Sequence, residues 1–383
     1  MSKTSKPQLN RNWIDRRAIE IVSRLQERGY TTYLVGGCVR DLLAGFNPKD
    51  YDIATSALPE EVRKCVPKSY VIGKRFRLVL VKRGPDQFEV ATFRRDPQPE
   101  ERDESEHPLA DNIFGTPEED ANRRDFTING LFYDPINDEI LDFVEGLHDI
   151  KLATLRMIGD PRVRLKEDPI RILRGLRLAS KLRFRIEPEL RCAMHDLAPE
   201  ICNSVLPRKR EEFLKILKLK EPGRVLVEAF DLRILEYCCP SLDQLFKDKN
   251  KKEVFLNYLD RIRDWVDDPH SPTELFSVMV VAFSVASGLV SWNEPIRQGT
   301  LLADENLKSF MKDQLGMFIS EMTEICHAIE IASRLNDVDS FKKRGIRRQS
   351  AFVRQHGFIL AMKMAELEHL IEPHARKFWR SLT

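Results

Sequence analysis

Two aspartates separated by one residue, Asp50 and Asp52, are the first residues of this sequence that could do chemistry. In a β-strand, residues i and i+2 point to the same face, so the two carboxylates would lie side by side. Like charges this close repel each other, and a divalent cation removes the conflict. Because Mg²⁺ prefers oxygen ligands and keeps phosphate oxygens in its shell, the pair predicts a Mg²⁺ site that handles phosphates.

A glycine turn, Gly36-Gly37, precedes the aspartates and separates a predicted strand at 31–35 from a predicted short helix at 39–44. Glycines allow close backbone approach, and a helix N-terminus offers free N–H groups and a positive dipole end. Arg40 could contact a phosphate oxygen. Each feature alone is a weak signal, but their combination with the aspartates favours a triphosphate site.

Glu89 lies in an alternating segment at 88–93, in which Phe88, Val90 and Thr92 take one face of a predicted strand. A carboxylate in the middle of an apolar strand needs a partner. Glu89 is therefore predicted to be a third metal ligand or the base for an attacking hydroxyl. The alternative is an exposed glutamate on an edge strand.

These residues require a small domain with a mixed sheet to position them. Strands are predicted at 31–35, 51–54, 76–81 and 88–93, and helices at 13–28 and 59–66. Residues 95–120 hold ten acidic residues, two basic residues and four prolines, which predicts a solvated, mobile loop that could act as a lid. Helical periodicity dominates after about residue 155.

Bulk composition excludes little but is typical of a reduced compartment. The 383 residues carry a net charge of +2, so partners cannot be inferred from the overall charge. Seven cysteines show no metal-ligand spacing, and the N-terminus shows no secretory signal, which predicts a cytoplasmic protein. The apolar segment 275–290 is shorter than the about 20 residues that a membrane span needs, so it is predicted to be a buried helix and no membrane is expected.

Two further motifs make the sequence recognisable: RRDFTIN at 123–129 and ED-x-x-R at 167–171. With the glycine turn and the Asp-x-Asp pair, they resemble the DNA polymerase β-like nucleotidyltransferases. More narrowly, they resemble the class II branch, which holds bacterial poly(A) polymerases and CCA-adding enzymes. The motifs occur in that family's order from about residue 17 to 220.

The resemblance implies an α+β protein: a nucleotidyltransferase head with a mixed sheet, followed by an all-helical neck and body. The expected limits are a disordered tail at 1–12, the head at 13–155, the neck at 156–225 and the body at 226–383. It also implies two Mg²⁺ ions, which Mn²⁺ could replace. The expected catalytic residues are Asp50, Asp52, Glu89 and Asp125, of which the first three bind metal. The expected nucleotide-binding residues are Gly36, Gly37, Arg40, Arg123, Arg124, Asn129, Asp168, Arg171 and Arg174.

The ED-x-x-R segment is implied to select the base, mainly through Asp168 and Arg171. Asp168-Pro169 is also typical of a helix N-cap followed by proline, and that structural role could be its whole function. Arg177 and Lys181 continue the basic face, which suits RNA phosphate or only a solvated helix. Arg347 and Arg348, in the basic segment 341–356, are predicted as a further RNA contact.

The segment 70–78, with Gly73 followed by basic residues, resembles poly(A) polymerases, whereas CCA-adding enzymes more often have a Gly-Thr pair there. The expected partners are therefore ATP and an RNA 3′ end, and the expected reaction is AMP transfer. Three alternatives stay open: a CCA-adding enzyme with the same catalytic residues, an inactive RNA-binding protein of the same fold, and a transferase for small molecules. The basic helical remainder disfavours the last.

Overall fold

The structure is a computed structural model that describes residues 3–5, 9–73, 77–96, 113–260, 271–367 and 369–382. The chain forms two compact units. Residues 1–167 and 182–193 belong to the first unit, and residues 168–181 and 194–383 belong to the second. The sequence placed the end of the head near residue 155, whereas the first unit also includes the helix that ends at Glu167.

A mixed sheet of eight strands is the framework of the first unit, in the order β1-β8-β7-β2-β3-β6-β5-β4. The pairing of β3 with β6 is parallel, and the other six pairings are antiparallel. A separate parallel pair is formed by β9 and β10. The strands are β1 Lys3–Ser5, β2 Thr32–Val35, β3 Asp52–Thr55, β4 Ser69–Ile72, β5 Leu78–Arg83, β6 Asp86–Thr92, β7 Leu131–Asp134, β8 Glu139–Asp142, β9 Thr154–Leu155 and β10 Arg185–Ile186.

Twenty-one α-helices are described, most of them in the second unit, together with short 3₁₀ and π segments. None of the helices in the described ranges is long and apolar enough to cross a bilayer. The helices are α1 Arg16–Gln26, α2 Gly37–Leu43, α3 Pro59–Cys65, α4 Pro117–Asn122, α5 Gly146–Lys151, α6 Pro161–Glu167, α7 Ile170–Leu182, α8 Pro188–Asp196, α9 Leu206–Leu217, α10 Pro222–Asp231, α11 Ile234–Cys238, α12 Pro240–Phe246, α13 Lys249–Leu259, α14 Pro272–Ala286, α15 Thr300–Ala303, α16 Glu305–Ser309, α17 Ile319–Ala332, α18 Val338–Lys342, α19 Ile346–Val353, α20 Phe358–Leu367 and α21 Pro373–Arg380.

The two faces of the eight-stranded sheet have different surroundings because strand side chains alternate between them. One face contributes Leu34, Ile53 and Val90 to the large core that the buried side of α1 also enters. The opposite face carries a smaller cluster that includes Val35 and Phe132. By their position along β3 and β6, Asp52 and Glu89 lie on this second face.

Several local predictions differ from the structure. Residues 3–5 pair with β8 as a strand, although the sequence suggested a disordered tail at 1–12. The acidic loop predicted at 95–120 lies mainly outside the described residues, but its last part is α4, which begins with a capping box at Thr116 and a proline at its first position. The predicted buried helix near 275–290 is confirmed as α14.

Candidate active site

The parallel pairing of β3 with β6 brings two carboxylates together. Asp52 opens β3, and its register partner on β6 is Glu89. Asp50 lies two residues before Asp52, just outside the strand. All three residues are exposed, whereas Tyr51, between the two aspartates, is buried. The spacing argument for an acidic cluster on one sheet face therefore agrees with this placement.

The pKa of Asp52 reflects both the surrounding protein and its charged neighbours. Surrounding protein atoms raise the pKa of the Asp52 carboxyl, and the Glu89 carboxylate raises it further. The Arg124 guanidinium lowers this pKa, and Asp50 raises it again. Asp52 is nevertheless open to solvent. Because the residue is in contact with water, its repulsion by the neighbouring carboxylates is partly screened.

The glycine turn lies directly beside these carboxylates. Gly36 has φ of 68°, a left-handed conformation that favours glycine, and α2 begins at Gly37. A Cβ atom at Gly36 would be 3.0 Å from Arg124 Nη1 and 4.0 Å from Asp52 Oδ2. The absence of a side chain at residue 36 therefore lets Arg124 lie next to the acidic cluster.

Arg40, which was predicted to contact a phosphate oxygen, interacts with protein groups in this structure. It is buried, and its Nε and Nη2 donate to Asp41 Oδ1 at 2.9 and 2.7 Å. Its Nη1 donates to Asn129 Oδ1 at 2.6 Å. The guanidinium is thus committed to two protein partners, because a buried charge needs such compensation. Arg40 connects α2 to the RRDFTIN segment instead of facing solvent.

The RRDFTIN segment is fixed by its own first carboxylate. Asp125 is buried, and its Oδ1 accepts from the backbone N–H of Phe126 and from Asn129 Nδ2, both at 2.8 Å. Asn129 in turn accepts from Arg40. Asp125, Asn129 and Arg40 therefore form a connected polar chain beside the acidic cluster, and this chain sets the course of the backbone at 125–129.

Asp120 organises the two arginines of the same segment. Its buried carboxylate accepts from Arg124 Nε and Nη2 at 3.2 and 2.8 Å, and Arg123 Nη1 lies 3.5 Å from it. The backbone N–H of Arg94 donates to it at 3.2 Å. Sequence reasoning missed Asp120, although the spacing of four residues from Arg124 on a helical segment is a recognisable pairing signal.

Arg164, on α6, is a second residue that sequence reasoning missed. Its Nη2 donates to the carbonyl oxygens of Arg123 and Arg124 at 2.7 and 3.0 Å. Its Nη1 contacts Glu167 Oε2 at 2.8 Å. Arg164 therefore stabilises the turn at 123–124. The sequence does not indicate this contact, because the two carbonyl groups lie 41 and 40 residues before Arg164.

Glu167 of the ED-x-x-R motif belongs to the first unit, and the rest of the motif belongs to the second unit. There, Asp168 is held by Arg208 of α9 through two parallel contacts of 2.8 Å, Nη1 to Oδ1 and Nη2 to Oδ2. Such a fork orients a carboxylate plane strongly. Arg171, on α7, is half-buried. Arg208 was not recognised from the sequence because its partner lies forty residues earlier.

The predicted basic face of α7 is largely a structural ion pair. Arg177 Nε donates at 2.7 Å to Glu212 Oε2, and the Arg177 side chain is only 15 % exposed. Arg174 Nε lies 3.7 Å from Glu212 Oε1. Glu212 is buried, so it requires such partners. Arg177, predicted as an RNA contact, is thus already paired with a carboxylate, whereas Lys181 is half-buried, and Arg347 and Arg348 are exposed on α19.

The donor set of the acidic cluster fits a metal that binds together with its substrate. Across the described ranges, no group of three or more His, Cys, Asp or Glu side chains is arranged so that it could hold a metal ion by itself. Mg²⁺ usually takes one or two carboxylates and completes its shell with water and substrate phosphates. Asp52 and Glu89 are exposed carboxylates that repel each other, and such a pair suits that mode of binding.

Comparison with known sequences decides the family. Residues 32–156 match the family described as poly A polymerase head domain, and residues 183–246 match the family described as probable RNA and SrmB-binding site of polymerase A. Poly(A) polymerase I of Salmonella typhi is 34 % identical over 361 residues, which cover 89 % of this chain and 74 % of that protein. The chain belongs to the poly(A) polymerase family. Members of this family and the related CCA-adding enzymes are nucleotidyltransferases.

CCA-adding enzymes align with a smaller share of this chain than the poly(A) polymerase of Salmonella typhi does. The CCA-adding enzyme of Bacillus licheniformis is 34 % identical over 227 residues, which cover 59 % of this chain and 56 % of that protein. Among solved structures, the Bacillus stearothermophilus CCA-adding enzyme in complex with CTP has a TM-score of 0.67 at 24 % identity and covers 96 % of this chain and 81 % of its own. The structural likeness confirms the expected fold, a head with a mixed sheet followed by helices.

Proposed function

We propose that this family member adds AMP from ATP to the 3′ end of RNA without a template and releases pyrophosphate. The observation that carries the proposal is the open pair of Asp52 and Glu89 beside Arg124 and the Gly36 turn. It occurs in a chain that aligns with poly(A) polymerase I over 89 % of its length. In an inactive RNA-binding protein, carboxylates that repel each other beside this turn would cost stability and serve no function.

Asp50, Asp52 and Glu89 would hold the metal, two Mg²⁺ ions by analogy with the family. When bound, Mg²⁺ neutralises charge on the triphosphate and favours ionisation of the attacking 3′-hydroxyl. The exposure of all three residues and the raised pKa of Asp52 support this assignment. A cation would lower that pKa and remove the repulsion between the carboxylates.

The remaining residues of the head orient the nucleotide. The backbone N–H groups at the start of α2 can receive phosphate oxygens, although this short helix alone does not define a site. Arg124, held by Asp120, can contact a triphosphate oxygen from beside Asp52. Arg40, Asp125 and Asn129 act behind this surface by fixing the backbone that carries Arg124. We therefore assign them positioning roles.

Base selection is proposed to rest on Asp168 and Arg171 in the second unit. A carboxylate and a guanidinium together offer acceptors and donors that can pair with the edge of a base. Because Arg208 fixes the Asp168 carboxylate, the acceptor direction is defined before the nucleotide arrives. RNA is expected to bind within 183–246, the region that matches the RNA-binding family, and at exposed Arg347 and Arg348.

A CCA-adding activity is the competing function, because relatives with that name share about a third of their residues with this chain over the matched region. The deciding experiment is nucleotide incorporation with Mg²⁺, comparing ATP alone, CTP alone and both. The acceptors are a generic single-stranded RNA and a tRNA that lacks its 3′ CCA. Long ATP-only tails on the generic RNA support the proposal. Addition of only C, C and A to the tRNA contradicts it.

The catalytic assignment has its own test. Asp52→Asn should reduce AMP incorporation by roughly 100-fold or more, because the negative charge for the metal is lost. Asp86→Asn is the matched control, since this exposed aspartate opens β6 as Asp52 opens β3, and within the described structure its carboxylate pairs with Arg17. A folded Asp52→Asn protein with near-normal incorporation would show that Asp52 is not a metal ligand.

A further inference from the structure

A row of register partners crosses the second face of the eight-stranded sheet, from the acidic cluster to the edge strand. Glu89, the register partner of Asp52, is also paired with Leu80 on β5. Leu80 is in turn paired with Tyr70 on β4. Side chains of directly opposed residues lie on the same face of a sheet. Since neighbouring strands are about 4.8 Å apart, Tyr70 lies two strands, or roughly 10 Å, beyond Glu89 on the face that carries the carboxylates.

The part of this face that β4 and β5 contribute is apolar and open. Tyr70 is 53 % exposed and Ile72 is 40 % exposed, whereas Leu80 is half-buried. On the opposite face of β5, Val79 and Val81 are buried in the large core. The exposed side chains are therefore not needed for that core, and an exposed apolar patch of this kind is typical of a binding surface.

A lysine adds positive charge to the patch. Lys82 follows Leu80 by two residues on β5, so it points to the same face. The side chain is exposed, and its Nζ lies 5.6 Å from the centroid of the Tyr70 ring, which is a cation–π contact. An open aromatic ring beside a cation matches the two parts of a nucleotide, a flat base and an anionic phosphate. These four residues, Tyr70, Ile72, Leu80 and Lys82, form the β4–β5 strip.

The strip lies on the side of the acidic cluster that the proposed triphosphate site leaves free. The turn at Gly36 directly follows β2, which borders β3 on one side, and Arg124 lies at this turn. Strands β6, β5 and β4 follow on the other side of β3. In an in-line displacement, the attacking oxygen and the leaving pyrophosphate lie on opposite sides of the phosphorus. A triphosphate at the Gly36 turn therefore directs the attacking 3′-hydroxyl toward Glu89 and the β4–β5 strip.

We propose that the β4–β5 strip binds the 3′-terminal nucleotide of the acceptor RNA. The base stacks on Tyr70 and lies over Leu80, and Lys82 contacts the phosphate on the 5′ side of that nucleotide. Stacking on an aromatic ring tolerates any base, which suits an enzyme that extends an RNA without a template. The inference deepens the proposed function and rests on it, because it names the surface that holds the acceptor in that reaction.

Binding is tested on the full chain without divalent ions, so that turnover does not contribute. The probes are two single-stranded ten-nucleotide RNAs, one with 5-iodouridine at its 3′ end and one with 5-iodouridine at its 5′ end. On irradiation this base loses iodide and forms a covalent bond with an aromatic side chain that is stacked on it, and mass spectrometry maps the bond. The expected result is a crosslink to Tyr70 with the 3′ probe only.

The kinetics of AMP incorporation measure the contribution of the strip. Tyr70→Ala should raise the KM for RNA by about tenfold, the size of one lost base–aromatic stack, and leave the KM for ATP unchanged. Tyr70→Phe keeps the ring and should change the KM for RNA by less than about twofold. Lys82→Gln should weaken the dependence of this KM on salt, because one phosphate contact is lost. Lys64→Gln is the matched control, since this exposed lysine lies on α3, whose buried Val62 belongs to the core on the other face of the sheet.

An acceptor RNA without its 3′-terminal base separates stacking from a structural effect. Wild type should lose about tenfold in kcat/KM with this abasic RNA, whereas Tyr70→Ala should lose less than about twofold, because the partner of the base is already absent. Equal crosslinks by both probes, equal abasic losses in wild type and Tyr70→Ala, or normal AMP incorporation without a crosslink to Tyr70 overturns the proposal. A 3′-specific crosslink to Tyr70 in a protein that does not extend RNA with ATP supports RNA binding by the strip and contradicts only the proposed reaction.

Discussion

At the scale of single residues, the acidic cluster is arranged for a ligand at the expense of stability. The surrounding protein atoms and the Glu89 carboxylate both raise the pKa of Asp52 above its usual value of 3.8. A carboxyl whose pKa is raised in the folded state stabilises the fold only while it is protonated. Its ionisation therefore costs folding free energy as the pH rises through the raised pKa. The same repulsion makes the folded state receptive to a cation.

Asp52→Asn should therefore stabilise the protein when no metal is present. The gain should be absent below pH 3.8, where both states are protonated, and should appear as the pH rises above that value. We expect a rise in melting temperature of roughly 2 °C at neutral pH, because solvent at Asp52 screens part of the repulsion. Melting curves with a chelator across this pH range measure it. Adding Mg²⁺ with ATP should stabilise wild type but not the variant, and a lower melting temperature for the variant at neutral pH would contradict the argument.

Single residues also show how far a sequence indicates the surroundings of a side chain. The sequence placed Asp52 and Glu89 on strands, and the parallel register of β3 with β6 brings the two residues together. Arg40 and Arg177 were assigned to phosphate and RNA because arginine suits both. Their actual partners, Asn129 and Glu212, lie 89 and 35 residues away along the chain. A sequence alone does not show whether a distant carboxylate or amide has already engaged a guanidinium.

At the scale of elements, the β2–α2 turn is expected to tolerate no side chain at its first glycine. Gly36→Ala would place a Cβ atom 3.0 Å from Arg124 Nη1, and it would also strain a residue with φ of 68°. Displacing Arg124 should lower AMP incorporation by up to roughly 100-fold, since small misplacements near reacting groups have large effects. Incorporation kinetics with ATP at saturating RNA would detect it.

Gly45→Ala is the matched control for this turn. Gly45 follows the end of α2 and also has a positive φ, of 79°, but a Cβ atom there would meet nothing within 4 Å. Both variants should therefore lose about 1–2 kcal/mol of stability from left-handed backbone strain. Only Gly36→Ala should lose activity. Similar activity losses in both would mean that strain, and not the contact with Arg124, governs the effect.

The contact between α9 and the start of α7 predicts an effect on selectivity. Arg208→Lys keeps the charge but cannot form the two parallel contacts with Asp168, so the carboxylate becomes free to rotate. The preference for ATP over CTP should fall by about tenfold, while the rate with saturating ATP changes less. Competition between the two nucleotides in one reaction measures this. Arg224→Lys, in an exposed arginine–glutamate pair on α10, is the control and should leave selectivity unchanged.

At the scale of the whole molecule, the order of the parts that the sequence predicted is confirmed. A sheet-containing head followed by helices follows from periodicity and from the motif order. The division between the two compact units falls at residues 167 and 168, within the ED-x-x-R motif, and residues 182–193 return to the first unit. Hydrophobic periodicity does not reveal that residues 182–193 belong to the first unit, because it indicates which face of a helix is buried but not which neighbour covers that face.

The second unit depends on a buried ion pair between residues far apart in sequence. Arg210 of α9 contacts Glu321 of α17 through Nη1 and Nη2 at 3.0 and 2.7 Å, and both residues are at least nine-tenths buried. The Arg210 guanidinium also lies over the rings of Phe276 and Phe318, at 5.0 and 4.6 Å. Removing only the arginine leaves the buried charge of Glu321 without its ion-pair partner.

Arg210→Met should therefore lower the free energy of unfolding of the second unit by about 3–5 kcal/mol. The double variant Arg210→Met with Glu321→Gln removes both charges, and the glutamine can still accept from the backbone N–H of Phe318, as Glu321 does at 2.8 Å. It should recover most of the loss, because replacing a buried pair costs less than breaking it. Urea unfolding, followed by the fluorescence of buried Trp379, compares the two. Equal losses in the single and double variants would show that the guanidinium stabilises α9 through its aromatic contacts and not through Glu321.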